Sequence, residues 1–305
     1  MRVRDIKERA EKAHSLLEEC AVCPRECGVN RLKGETGSCG IGKDPKVASF
    51  NLHTGEEPPI SGTRGSGTIF FAGCNLRCRY CQNFPISQMR NGEEITTQKL
   101  AGMMLHLQSK GSHNINFVTP SHVVPQILEA LSFAWEKGLD LPLVYNTSGY
   151  DAMRSLQLLE GIIDVYLPDM RYSDNRIAER LSSVEDYVDV NRKAIVEMYR
   201  QVGNLRTDEQ GIAERGLIIR HLILPDNQAG SDPTFRFIRE EMSDKLPVSL
   251  MGQYFPSFRA EECVSIDRKI TPEEYESVLE SFFDSGLSRG WIQEGFKHEA
   301  ERAEE

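Results

Sequence analysis

Seven of the chain's eight cysteines lie between Cys20 and Cys81, in two groups, Cys20/Cys23/Cys27/Cys39 and Cys74/Cys78/Cys81, with Cys263 apart. Thiols crowded in this way serve as a disulfide framework in a secreted domain, and as metal or iron-sulfur ligands in a reducing cytosol. The opening MRVRDIKERAEKAH carries charges where a signal peptide needs an apolar run, and no stretch approaches the ~20 apolar residues of a membrane span. The expectation is a cytoplasmic protein whose cysteines are ligands. The later group sits in GTIFFAGCNLRCRYCQN, residues 67–83, where an apolar strand runs directly into a loop. A four-iron cluster takes four thiolates, whereas this loop offers three at close spacing, so one iron would stay open to a chelating substrate. A zinc ion with a borrowed fourth ligand is the competing reading.

The earlier group has gaps of two, three and eleven residues, with glycines that let the backbone turn around a metal. Four thiolates beginning with a CxxC pair suit tetrahedral zinc and equally an auxiliary iron-sulfur cluster. Structural zinc is the favoured expectation, because residues 20–65 are rich in Gly and Pro and need a staple. Buried unliganded thiols are the alternative, and Cys263, in AEECVSI, reads as a packing residue.

The elements that must position these loops follow from hydrophobic periodicity. Val3, Ile6, Ala10, Ala13 and Leu17 recur at helical spacing and predict an amphipathic helix ahead of the first cysteines. Beyond Gly67, six apolar runs at 68–72, 114–119, 141–146, 162–167, 217–224 and 248–254 alternate with helical stretches at 97–110, 121–137 and 186–202, each followed by a glycine. A last helix opens at Thr271, with Pro272 in its first turn and Glu274 completing a capping box. The pattern predicts an α/β fold, a partial (βα)6 barrel, with a doubly wound sheet as the rival; both place function at the carboxyl ends of the strands. The expected division is a cysteine-bearing segment 1–65, the barrel 66–296 and an acidic, fraying tail 297–305. With 36 basic against 46 acidic side chains and a net charge of −10 over 305 residues, a broad surface for nucleic acid or anionic lipid is not expected.

CNLRCRYC, residues 74–81, resembles the CxxxCxΦC motif of radical S-adenosylmethionine (radical SAM) enzymes, with Tyr80 as the aromatic beside the third cysteine. Nearly the whole chain is similar to the activating-enzyme-like branch related to pyruvate formate-lyase activating enzyme, through CAVCPRECGVNR, EEPPISG, NINFVTPSH, YNTSGYD, YLPDMRY, RHLILP and MGQYFP. The resemblance implies a radical SAM barrel in which Cys74, Cys78 and Cys81 hold a 4Fe-4S cluster. SAM chelates the open iron, and one-electron cleavage gives a 5'-deoxyadenosyl radical that abstracts a substrate hydrogen. It also implies an electron donor such as flavodoxin or ferredoxin and, as partner, a glycyl-radical enzyme.

For the SAM contacts it places Tyr80 beside the adenine, Asn146 or Ser148 near the ribose or methionine, and Arg171 near the carboxylate, with Thr119 or Ser121 for the ammonium. The activases' Gly-Gly-Glu-Pro carboxylate has no counterpart in Val118-Thr119-Pro120-Ser121. Within the fifth strand, Arg220 and His221 must face opposite sides, so only one points into the barrel. Gln253 and Tyr254 are expected at the substrate end, and His122 at a helix start. Two other function classes stay open at this point: radical modification of a small molecule or peptide, and a non-catalytic zinc or iron-sulfur interaction protein.

Overall fold

The computed structural model describes residues 2–293, so the acidic tail 297–305 lies outside the described residues. The chain opens with α1 (Arg2–Ser15), which buries Ile6, Ala10 and Ala13 along one stripe as the helical period requires. Then come β1 (Lys46–His53), the four-residue α2 (Pro58–Ser61), β2 (Ser66–Phe71), α3 (Phe84–Ser87) and β3 (Glu93–Glu94). The alternating part follows: α4 (Thr97–Ser109), β4 (Ile115–Val118), α5 (Val124–Glu136), β5 (Leu143–Thr147), α6 (Met153–Leu159) and β6 (Val165–Pro168). After α7 (Asn175–Ser182) and α8 (Tyr187–Val202) come β7 (Arg206–Thr207), β8 (Ala213–Leu217) and β9 (Ile219–Leu222). The last elements are α9 (Ser231–Glu241), β10 (Val248–Met251), α10 (Pro272–Asp284) and β11 (Gly290–Gln293).

Strands β2, β4, β5, β6 and β8 pair in parallel in chain order, and β9, β10 and β11 form a second parallel set. The two sets are one curved wall. Ile218, between β8 and β9, donates its N–H to the Tyr166 carbonyl at 3.0 Å, and Asp169 bridges Arg220 beyond it. Strand order that never reverses is the order of a barrel wall and not of a doubly wound sheet, which turns back at a switch point. Among the described residues the wall is open: β1 pairs antiparallel with the outer edge of β2, and β3 with β1.

All six expected strands are present, and β1, β3, β7 and β11 lie outside the expected runs. The run 217–224 is split at Ile218, where the chain keeps its bonds to the β6 side through Tyr166 and Asp169 and begins to pair with β10. The β1 strand was not anticipated: Ala48, Phe50 and Leu52 alternate with polar residues, but the run lies in a stretch whose glycines and prolines read as loops, and Phe50 and Leu52 are exposed. The capping box forms as expected: Thr271 Oγ1 accepts from the Glu274 N–H at 3.2 Å, and Glu274 Oε2 from the Thr271 N–H at 2.8 Å.

Residues 20–65 are held by more than their thiols. Leu17, Cys20, Val22, Cys39 and Ile41 belong to the same buried cluster as Ile69 and Phe117, so the segment shares the main core. Ile60 on α2 packs with Val144, Val165, Leu167, Ala213 and Ile218, filling the inside of the wall from below. Among the described residues no helix is long and apolar enough to cross a membrane.

Because Ile60 is fully buried among branched side chains on facing strands, it sets how closely α2 seats against the wall. Ile60→Ala should lower unfolding free energy by about 2–5 kcal/mol, measured by denaturant titration; a cost below ~1 kcal/mol would show that α2 is not a packed plug.

Candidate active site

The carboxyl end of β2 delivers the loop bearing Cys74, Cys78 and Cys81 into a cleft of about 80 Å³, lined also by Thr119, Ser148 and Arg171. Each sulfur has a hydrogen-bond partner. Cys74 Sγ accepts from the Leu76 N–H at 3.4 Å, Cys78 Sγ from Ser182 Oγ at 3.0 Å and Arg171 Nη1 at 3.3 Å, and Cys81 Sγ lies 3.0 Å from Ser87 Oγ. Burial pushes the Cys74 thiol up to about 12, with the neighbouring Cys78 and Cys81 adding to the rise. Such a thiol ionises readily only against a cation, and iron is one.

Among the described residues no fourth Cys, His, Asp or Glu lines this cleft. Three thiols with sulfur-directed donors, and no further ligand, fit a four-iron cluster with one open iron and do not complete a tetrahedral zinc site. Two larger surface depressions, about 320 Å³ beside Ser231 and Glu274 and about 360 Å³ beside Glu26 and Asp151, contain no thiol.

The structure brings Ser148 and Arg171 to the thiols and separates Asn146 from them. Ser148 is buried with its hydroxyl unpartnered. Arg171 donates from Nη1 to Cys78 and from Nη2 to Asp169 Oδ2 at 2.6 Å, and its buried Nε has no partner. Burial disfavours its charge, yet Asp169 and then Cys78 hold its pKa well above the ordinary guanidinium value.

Tyr80 is buried, its hydroxyl 2.6 Å from that of Tyr172 and its ring edge-on to Tyr254. It stands in a second cleft of about 120 Å³ that runs past Cys81 and Gln253 to Asp169 and Arg220. Of the two polar groups on β4's exit, Thr119 lines the thiol cleft, whereas Ser121 turns away to Thr147 Oγ1 at 2.9 Å. His221 is a core residue: Nδ1 meets the Met170 carbonyl at 2.7 Å and Nε2 meets Ser231 Oγ at 2.9 Å, and burial lowers its pKa to about 4. His122 is likewise buried, with Nε2 3.0 Å from the Ala72 carbonyl.

Alternation in β9 then turns Arg220 inward, to a polar cluster that reading by motif did not reveal. Arg220 Nη1 lies 3.4 Å from Glu56 Oε2, and its Nε lies 3.2 Å from Asp169 Oδ1 and 3.8 Å from Glu57 Oε1. Asn116 Nδ2 and Asn146 Nδ2 donate to Glu56 at 3.2 and 3.3 Å. Burial raises the Glu56 carboxyl to about 7; Arg220 opposes the rise, while Glu57 and Asp169 reinforce it. The only signal in the sequence was the phrase EEPPISG, whose charged pair precedes a helix too short to announce itself.

The N-terminal cysteines form a neighbouring group. Cys20, Cys23 and Cys39 are buried, Cys27 is half-buried and accepts from the Ser38 N–H at 3.3 Å, and Arg31 Nη1 lies 4.0 Å from Cys20 Sγ. Burial pushes Cys23 up to about 12, and the other three thiols of the group are close enough to add to it. Their loop abuts the other cysteine loop: Arg25 Nε donates to the Asn75 carbonyl at 2.8 Å, and a Cβ on Gly73 would stand 2.7 Å from the Cys39 carbonyl. Among the described residues, no set of three or more His, Cys, Asp or Glu side chains is gathered closely enough to hold a single metal ion as it stands.

Comparison with known proteins extends the geometry. A family described as a 4Fe-4S single cluster domain matches residues 61–179, a span that includes Cys74, Cys78 and Cys81 but not the first cysteine group. The uncharacterized protein MJ0674 of Methanocaldococcus jannaschii is 33% identical over 282 residues, covering 89% of this chain and 76% of that one. The pyruvate formate-lyase-activating enzyme of Clostridium pasteurianum is 29% identical over 112 residues, covering 35% of this chain and 46% of that one. Among solved structures, a radical SAM methyltransferase from Sphaerobacter thermophilus shares the fold with a TM-score of 0.50 and 14% identity, over 74% of this chain and 65% of that one. The chain thus spans a little under two thirds of that solved protein. With three thiols on the loop after the first parallel strand, a match to a 4Fe-4S single cluster domain and these relatives, the chain belongs to the radical SAM superfamily.

Proposed function

We propose that Cys74, Cys78 and Cys81 hold the cluster, that Ser148, Thr119 and Arg171 orient SAM beside it, and that the enzyme takes a hydrogen atom from a substrate admitted past Gln253. The observation that carries this reading is the three-thiol cleft with no fourth protein ligand. When bound, the cluster and SAM supply a one-electron cleavage whose organic fragment abstracts hydrogen. The protein's own part is positional. Ser182, Arg171 and the Leu76 N–H direct hydrogen bonds at sulfur, which tunes a bound cluster's potential. The unpartnered Nε of Arg171 and the unpartnered hydroxyl of Ser148 are donors the cleft offers to a carboxylate or a ribose. Tyr80 walls the adjoining cleft, its ring backed edge-on by Tyr172 and Tyr254.

The finer reading of the substrate is a glycyl-radical enzyme, from whose glycine the Cα hydrogen is removed. It rests on the similarity to the Clostridium pasteurianum activating enzyme over 112 residues. Incubating the reduced, SAM-loaded protein with a candidate partner should give the carbon-radical signal of glycine in electron paramagnetic resonance. Its absence, alongside turnover on a small molecule or peptide, would move the activity to that class.

The four N-terminal cysteines hold, on this reading, a separate metal centre that fastens their loop to the core. Replacing Cys74, Cys78 and Cys81 together by Ala should abolish reductive SAM cleavage and leave stoichiometric metal at the remaining group. Continued formation of 5'-deoxyadenosine would overturn the cluster assignment. Metal analysis of the same variant decides the second site: zinc supports a structural staple, iron an auxiliary cluster, and neither removes the site.

Arg171→Ala should weaken SAM binding about ten- to a hundred-fold, the loss of ~1.5–3 kcal/mol for a charge-assisted hydrogen bond, while the reconstituted cluster keeps its visible absorbance. Unchanged SAM affinity would show that Arg171 serves Cys78 and Asp169 alone.

A further inference from the structure

The four N-terminal thiols are bordered by positive charge that the SAM contacts do not explain. Arg25 lies between Cys23 and Cys27 in the chain, and Arg31 is 1% exposed with Nη1 4.0 Å from Cys20 Sγ. Arg90 packs against the residue after Cys39, where a Cβ on Gly40 would overlap its Nε. Arg77 is within electrostatic reach of both Cys39 and Cys74, and of Arg25 and Arg90. Among the described residues the hydrogen bonds of Arg25, Arg31 and Arg77 run to the Asn75, Gly42, His122 and Cys74 carbonyls and to the Gln88 side-chain oxygen, and none reaches a carboxylate. Like charges gathered partly out of water call for a counter-anion.

The unspent hydrogen-bonding capacity points the same way. Arg25 Nη2, Arg31 Nη2 and Arg90 Nε are buried without a partner, and all three are donors. Buried donors left unpaired are rare in folded proteins, and here what they lack is an acceptor. A zinc ion adds none, since its site offers only the four cysteine sulfurs. A four-iron core brings inorganic sulfides, and N–H groups directed at them help set its potential. Spacing agrees with the larger core. Tetrahedral zinc with bonds of about 2.3 Å draws its thiolates to about 3.8 Å from one another. Among the described residues no three of these thiols are gathered closely enough for a single ion, and Cys74, Cys78 and Cys81 are not so gathered either.

The two thiol groups also share a boundary. Arg25 Nε donates to the Asn75 carbonyl at 2.8 Å, and a Cβ on Gly73 would stand 2.7 Å from the Cys39 carbonyl. That second approach keeps the Cα atoms of Cys39 and Cys74 within about 11 Å of each other. We propose that Cys20, Cys23, Cys27 and Cys39 hold a second 4Fe-4S cluster, with Arg25, Arg31 and Arg90 as donors to its sulfides, and that it passes electrons to the cluster at Cys74, Cys78 and Cys81. The inference rests on the reading of both thiol groups as metal centres. The step balances as a one-electron exchange: a reduced ferredoxin gives one electron to the N-terminal cluster, which is reoxidised as the radical-site cluster is reduced, with no bond made or broken. The arginines favour the reduced N-terminal cluster, because reduction adds negative charge beside them.

The test begins with the full chain in which Cys74, Cys78 and Cys81 are all replaced by Ala, reconstituted anaerobically with iron, sulfide and zinc together. It should hold four irons and four acid-labile sulfides per chain and, after dithionite, give the electron paramagnetic resonance signal of one reduced cluster. Zinc in their place, or iron without labile sulfide, would overturn the second cluster and leave the metal-centre reading standing; no bound metal would overturn both. In the same background Arg90→Gln should lower the cluster's midpoint potential by at least a ten-fold change in the reduced-to-oxidised ratio, about 59 mV for one electron. Arg90→Lys should keep the parent potential, and an unchanged potential in Arg90→Gln would remove the arginines from the site. For the relay, Cys23→Ala combined with Cys39→Ala should slow SAM cleavage at least ten-fold with reduced ferredoxin as donor and leave it within about two-fold with dithionite. Equal loss with both donors would overturn it. Where that variant fails to fold, freeze-quenched wild-type protein mixed with reduced ferredoxin decides: the N-terminal cluster's signal must rise before that of the radical-site cluster, and the reverse order would overturn the relay.

Discussion

One carboxylate, Asp169, ties the two halves of the site together. Its Oδ2 holds Arg171 at 2.6 Å, and Arg171 in turn reaches Cys78; its Oδ1 faces Arg220 at 3.2 Å. Its backbone is fixed from three directions, by the Thr147 carbonyl on the neighbouring strand, by Asn191 Nδ2 on α8, and by the Tyr187 hydroxyl. A charge buried this deeply survives only when its partners are held in place, so the position of Asp169 constrains both arginines at once. The thiol cleft and the interior cluster are thereby set in one register.

That arrangement explains why so much polar surface is buried inside the wall. Asn116, Asn146, Arg220 and Glu56 occupy inward positions where a packed barrel would carry Val or Ile. Packing alone would favour the apolar choice, and the lower part of the wall makes it, with Ile60, Val144, Val165 and Leu167 in contact. The change from apolar to polar along the same strands, toward their carboxyl ends, separates the part that stabilises the fold from the part that meets ligands.

The N-terminal segment contributes to both. Its α2 closes the apolar end, its Glu56 and Glu57 furnish two of the three interior carboxylates, and its cysteine loop lies against the radical-site loop through Arg25 and Asn75. A segment rich in turns is suited to this, because it can reach the inside of the wall without the regular spacing of a strand or helix.

Local chemistry was legible in the chain itself. The spacing of Cys74, Cys78 and Cys81 after an apolar run, the six parallel strands, the glycine stops and the Thr271–Glu274 cap are short-range patterns, and each formed where neighbouring residues dictated. The sequence also showed that Arg220 and His221 must part company, since adjacent strand residues face opposite ways. Which of them turned inward depended on how β9 joined β6 and β10, a long-range pairing. The same holds for Glu56: nothing within EEPPISG says that its carboxyl will meet Asn116, Asn146 and Arg220, which lie 60, 90 and 164 residues away. Motifs are read from neighbours along the chain, whereas buried charge is balanced by neighbours in space, and only the folded wall brings those together.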